Sequence, residues 1–238
     1  MRLTARQRWS WFAHLFKAAT RQHHTELLPR LAAHIASDAV IVDAGAHAGQ
    51  FAKLFAKMAP RGRVYAFEPA EYARSVMAPA LRLAGLRNIT VISAGLSDAP
   101  GELTLRTPVK PSGSLGFGTA HLGIHDGVSP TVDQTVTLVT LDDFAGARNL
   151  ERLDFIKADI EGWELHALRG GESTLRRFMP ALLLEVDDAF LMRAGDSADS
   201  LFDWLAQVGY RGFQVPSLIA SPSYARVGDY LFLAKQQA

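Results

Sequence analysis

The chain has 238 residues, 48% of them apolar, a formal net charge of +1 and no cysteine. A core-forming composition without a linker-like stretch argues for one large domain, and near-neutrality argues against nucleic acid or an acidic polymer as partner. The missing cysteines exclude disulfides, thiolate metal sites and a cysteine nucleophile, and fit a reducing, cytoplasmic setting; no apolar run reaches the roughly 18 residues of a membrane span.

Residues 1–25 carry Arg2, Arg6, Arg8, Lys17 and Arg21 with no acid before Glu26, and Trp9, Trp11, Phe12, Leu15 and Phe16 fall among them at partly helical spacing. This arm, residues 1–37, reads as a basic-faced helix docked on a domain of residues 38–238. A membrane-surface or dimerising helix is the alternative, and the aromatic density argues against a transit peptide. From Val40 the chain alternates. Val40–Ala46 is a short apolar strand, Gln50–Ala59 has helical spacing, Arg63–Glu68 is a strand, Glu71–Ala84 a helix capped by Gly85, and Ile89–Gly95 a third strand. That rhythm predicts parallel strands joined by right-handed crossovers.

Between Ser97 and Leu141 the pattern changes. "GELTLRT" and "TVTLVTL" alternate like antiparallel strands around a glycine-rich stretch, "SGSLGFGTAHLGIHDG", which reads as a β-hairpin and loop inserted after the third strand, the loop serving as a lid. Regularity returns with a strand over Leu153–Ile160, a helix over Trp163–Phe178 interrupted near Gly170-Gly171, a buried strand at Ala181–Val186, a helix at Ala198–Val208 and closing strands at Tyr210–Val215 and Tyr230–Ala234.

The junction "VIVDAGAHAGQF" carries the cofactor argument. A dinucleotide site needs a second glycine where Ala46 and His47 stand here. Asp43, two residues before Gly45, would repel a pyrophosphate but attract an ammonium or sulfonium. D-x-G-x-x-x-G, from Asp43 to Gly49, therefore favours S-adenosylmethionine, which bears both cations and no phosphate. Glu68, roughly 20 residues on, stands where an acid takes both ribose hydroxyls. Pro69 follows it, and "SAGLSD" places Leu96 against the adenine.

The blocks "VIVDAGAHAGQFAKLFA…GRVYAFEPAE", "VISAGLSDAPGELTL", "LDFIKADIEGWELHALRGG" and "MPALLLEV" resemble, in order, those of the FkbM-type methyltransferases. The resemblance runs from about residue 38 to residue 187, with a looser echo in "QVGYRGF" and "GDYLFLA". It implies a Rossmann-like class I methyltransferase fold, a mostly parallel twisted sheet with helices on both faces. It also implies S-adenosylmethionine as donor and a hydroxyl of a sugar, glycoside or secondary metabolite as acceptor. His47 and Ser93 stand where that family commonly has asparagine.

Methyl transfer to oxygen needs positioning and a base for the hydroxyl proton. The carboxyl ends of the strands offer Asp159, the first candidate and a cofactor contact as well, then Glu161 and Glu185. Against Glu161 stands the dipole stabilisation of any acid in a first helical turn; for Glu185 stands the cost of an unpaired acid in a buried strand. His121 and His125 in the glycine-rich loop, with Asp187, are candidate substrate contacts. Asp159, Glu185 and Asp187 could also ligate magnesium, but their spacing does not require it, and no metal is expected. A non-catalytic S-adenosylmethionine-binding module and a nicotinamide oxidoreductase are the alternatives. A nucleic-acid amino methyltransferase is disfavoured, because "ADIEGW" stands where D/N-P-P-Y/F is expected and the domain body has no basic stripe. A homodimer fits the arm.

Overall fold

The computed structural model describes residues 4–109, 121–122 and 131–235. In chain order come α1 (Ala5–Thr20), a turn of Thr25–Leu27 leading into α2 (Leu28–Leu31), β1 (Val40–Ala44), α3 (Gln50–Met58), β2 (Arg63–Phe67), α4 (Glu71–Leu83) and β3 (Ile89–Ile92). Next are β4 (Gly95–Leu96), β5 (Gly101–Pro108), β6 (His121–Leu122), β7 (Thr131–Val139), α5 (Leu141–Ala147), β8 (Phe155–Ala158), α6 (Glu164–Arg169) and α7 (Glu172–Phe178). The last are β9 (Ala181–Val186), α8 (Asp188–Arg193), α9 (Ala198–Val208), β10 (Tyr210–Gln214), β11 (Ile219–Ala220) and β12 (Gly228–Ala234).

The main sheet has eight strands in the order β11-β10-β12-β9-β8-β1-β2-β3. The run from β9 to β3 is parallel, and β12, β10 and β11 extend it antiparallel. Strand alternation feeds two cores. Val42, Ala44, Leu182 and Leu184 face α5, α6, α7 and α9, whereas Ile41, Ala181 and Leu183 face α3 and α4. Both faces are therefore covered, as the unbroken apolar runs of β1 and β9 require. β1 has β2 on one side and β8 on the other, so successive crossovers diverge there and open a crevice at the carboxyl ends of β1 and β8.

The inserted strands form their own sheet, β4-β7-β5-β6, with β5 and β7 antiparallel over Gly101–Pro108 and Thr131–Val139. Three features depart from the sequence reading. The strand expected over Leu153–Ile160 is confined to Phe155–Ala158, because Asp154 turns its carboxylate to the Val40 amide at 2.8 Å and to Arg152. "TVTLVTL" leaves the sheet after Val139, where Thr140 caps α5 by accepting from the Asp143 amide at 3.0 Å. Asp187 likewise opens the unanticipated α8, accepting from Ala189 at 2.9 Å.

α1 lies on α4. Trp11 Nε1 donates to Ser75 Oγ at 2.9 Å, His14 Nδ1 meets the Tyr72 hydroxyl at 3.0 Å, and the buried Lys53 ammonium closes the helix end at the carbonyls of Ala18 and Arg21. Among the described residues no helix is long and apolar enough to cross a membrane.

Candidate active site

A cavity of about 260 Å³ opens in the crevice, walled by the turn after β1, the residues after β2, Leu96 and the segment from Lys157 to Trp163. Its floor depends on Gly45. At φ +75 a Cβ there would lie 1.9 Å from the Asp159 carbonyl oxygen, so only glycine lets the turns after β1 and β8 meet backbone to backbone. The turn amides are already engaged. Gly45 and Ala46 donate to the Phe67 carbonyl at 3.0 and 2.9 Å, and His47 donates to Glu68 Oε2 at 2.7 Å. A phosphate nest needs such consecutive amides free; here they instead hold Glu68 in place.

Glu68 is buried, and its other oxygen accepts from the Ala70 amide at 2.8 Å. Burial raises its pKa against the pull of those two amides. Each carboxylate oxygen keeps a lone pair for a further donor, which suits a vicinal diol. The neighbouring His47 ring is kept neutral, burial and then Lys157 lowering its pKa to about 4.

An ion cluster lies under the other wall. Lys157, the register partner of Asp43 across β1 and β8, is buried with its ammonium 3.7 Å from Asp43 Oδ1 and 3.3 Å from Asp159 Oδ2. It also donates to the Gly45 carbonyl at 3.2 Å. Burial opposes its charge, but Asp159 and Asp43 hold its pKa above the ordinary range. Asp43 itself has no exposed surface, and burial pushes it up to about 6 even beside that cation. Burial also works against an ionised Asp159, yet Lys157 and a hydrogen bond from Glu185 keep its pKa low. Glu185 is displaced upward by burial, by the bond to Asp159 and by the charges of Asp159, Asp229 and Glu161. Within this pair Asp159 is the acid held low and Glu185 the one held high.

The turn after Asp159 is strained. Glu161 has φ 57 and Gly162 φ 98, and a Cβ on Gly162 would strike the Phe190 carbonyl oxygen at 2.2 Å. Glu164 steadies the turn from below, accepting from Ile160 at 2.9 Å and Gly162 at 3.4 Å. Strain of this kind persists where surrounding packing enforces it and is concentrated at functional sites. Glu161 is among the residues that line the cavity. Burial and then the Asp159 charge raise it to about 7, against the attraction of Arg193.

Gly45, Ala46, His47, Glu68, Pro69, Leu96, Asp159 and Glu161 thus share one cavity wall. Gly49 instead starts α3 at φ 80, with Met77 behind it. Three placements differ from what the sequence alone suggests. Asp43 is fully buried beside its register partner Lys157, which lines the cavity where Asp43 does not. Glu185 bonds Asp159, and Asp187 is spent on capping α8. Asp187 therefore stands apart from the hydrogen-bonded Asp159 and Glu185, and among the described residues no three metal-binding side chains converge. His121 belongs to β6, opposite Arg106; His125 and most of the glycine-rich stretch lie outside the described residues.

Sequence reasoning missed Lys157, whose signal was a charge inside the apolar run "LDFIKAD". Trp163, which the sequence places only at the head of a helix, is among the cavity-lining residues. Its ring is stacked on His166 at 4.3 Å, with its Nε1 donating to Ser97 Oγ at 3.1 Å. His166 is held in turn by Asp98 at 3.1 Å.

A family model described as the methyltransferase FkbM domain matches residues 43–211. Among relatives, the AMB antimetabolite synthetase AmbE of Pseudomonas aeruginosa is 30% identical over 73% of this chain and 10% of its own length. The 2-O-methyltransferase NoeI of Sinorhizobium fredii is 27% identical over 59% of this chain and 60% of its own. The match thus spans no more than about three-fifths of either relative. Among solved structures, methyltransferase FkbM from Methylobacillus flagellatus superposes with TM-score 0.53 at 18% identity, covering 91% of this chain and 47% of that one. SMU.1697c of Streptococcus mutans, solved in complex with SAH, gives TM-score 0.50 at 12% identity over 90% of this chain and 97% of that one. These likenesses establish the Rossmann-like class I methyltransferase fold.

Proposed function

The chain belongs to the FkbM methyltransferase family, and from that premise we propose that it moves a methyl group from S-adenosylmethionine to a hydroxyl of a sugar, glycoside or other small metabolite. The observation that carries this reading is one cavity lined by two acids, Glu68 fixed by two backbone amides and Glu161 raised to about 7. Glu68, fixed by the His47 and Ala70 amides, would take the ribose hydroxyls. Leu96 would pack the adenine, and the ionised Asp159 would face the ammonium. The engaged amides of Gly45, Ala46 and His47 favour a donor without phosphate over a nicotinamide dinucleotide. NoeI, a 2-O-methyltransferase, supports a hydroxyl as the acceptor class.

When bound, the donor supplies a methyl group already activated by its sulfonium. The chain is left with aligning the acceptor and removing its proton. Asp159 is poorly suited to the second task, since Lys157 and Glu185 occupy its oxygens and lower its basicity. Glu161 suits it better: at about 7 its pKa is matched to neutral operation, and it is one of the cavity-lining residues. The Asp159 charge then serves to raise the basicity of Glu161.

Transfer of labelled methyl to a panel of glycosides and hydroxylated metabolites tests this. The rate should rise with pH through about 7, and Glu161→Gln should lower it by about 10²–10⁴ and abolish that rise, with affinity for S-adenosylhomocysteine retained. Transfer only to amines, or an unimpaired Glu161→Gln, would contradict the proposal.

A further inference from the structure

α1 presents its aromatic side to solvent. Trp9, Phe12 and Phe16 are 78%, 59% and 66% exposed, and their spacing aligns them on one side of the helix. Trp11, His14, Leu15 and Ala18 take the opposite side, against α4 and its surroundings. At about 100° per residue, Arg6 and Lys17 flank the aromatic stripe on one side and Arg8 on the other; all three are exposed. No acid occurs before Glu26. Solvated aromatics in such a row are a liability unless something covers them.

A second copy is a poor cover. Pairing two α1 stripes about a two-fold axis would bring Arg6, Arg8 and Lys17 of one helix against the same cations of the other, with no acid on either. An anionic lipid surface answers both features, burying the aromatics at the headgroup boundary while its phosphates meet the flanking cations. The helix is pre-positioned for this by its contacts with Ser75, Tyr72 and Lys53. We propose that α1 docks the protein on an anionic membrane surface through Trp9, Phe12 and Phe16, flanked by Arg6, Arg8 and Lys17.

Co-sedimentation of the full chain with phosphatidylcholine vesicles, with and without phosphatidylglycerol, tests the proposal. Binding should be at least about tenfold stronger with the anionic lipid and should weaken with salt. A combined Trp9→Ser, Phe12→Ser and Phe16→Ser variant should bind about tenfold less or weaker still. A combined Arg6→Gln, Arg8→Gln and Lys17→Gln variant should lose about a hundredfold. Both should keep the parent's melting temperature and its affinity for S-adenosylhomocysteine, since none of the six lies in the cavity. No binding to anionic vesicles, or equal binding by the variants, would overturn the proposal. So would a dimer in solution that the aromatic variant abolishes.

Discussion

Replacing Lys157 by methionine preserves most of the side-chain volume and deletes the ammonium that stands 3.7 Å from Asp43 and 3.3 Å from Asp159. Asp43, without exposed surface, then has to remain charged without its partner or take up a proton. Deleting one member of a buried ion pair costs about 3–5 kcal/mol. The cost must depend on pH. Burial already raises Asp43 from 3.8 to about 6. A carboxyl raised on folding binds more protons folded than unfolded, so its contribution to stability falls as pH climbs from the unfolded value to the folded one. Losing Lys157 lifts the folded pKa further and extends that window upward. At pH 5 Asp43 is largely protonated with or without the lysine. Urea unfolding followed by circular dichroism should therefore show a deficit of about 3–5 kcal/mol at pH 8 and at most about half of that at pH 5. Adding Asp43→Asn to Lys157→Met should restore most of the loss at pH 8. A deficit under about 1 kcal/mol at pH 8, or one independent of pH, would refute the reasoning.

Gly45→Ala should lower stability by at least about 2 kcal/mol in thermal unfolding, because its Cβ would fall 1.9 Å from the Asp159 carbonyl oxygen; an unchanged melting temperature would contradict that packing. Glu68→Ala should weaken S-adenosylhomocysteine by about 1–3 kcal/mol in calorimetry, and unaltered affinity would remove Glu68 from the cofactor site. Glu164 is raised from 4.5 to about 7, chiefly by burial, so the native chain should lose about 3 kcal/mol of stability on its account between those pH values. Glu164→Gln keeps an acceptor for the Ile160 and Gly162 amides and should flatten this dependence in urea midpoints measured across pH.

The parts of the site that could be read from sequence are those encoded within a few residues. The strand, turn and helix from Val40 to Met58 and the acid after β2 follow from apolar runs broken by small residues, and the ligand crevice follows from the parallel order they imply. What could not be read depends on register between distant segments. Lys157 reads as an ordinary strand charge until β8 pairs with β1 and sets it opposite Asp43. Glu185 reads as a free acid until β12 brings Asp229 opposite it and Asp159 accepts a hydrogen bond from it. The proposed exchange of roles between Asp159 and Glu161 rests on that cluster, since both lie within the same "ADIEG" and only their neighbours distinguish them. α5 escaped notice because the alternation of "TVTLVTL" runs past Thr140, whose side chain caps a helix rather than continuing the strand.

Isothermal titration of the full chain with S-adenosylhomocysteine and, separately, with NAD bears most directly on the central claim that this cavity is built for a phosphate-free nucleoside donor. The account predicts a single site for S-adenosylhomocysteine that Glu68→Ala weakens, and no measurable heat with NAD. Saturable binding of NAD, or no binding of S-adenosylhomocysteine, would contradict it.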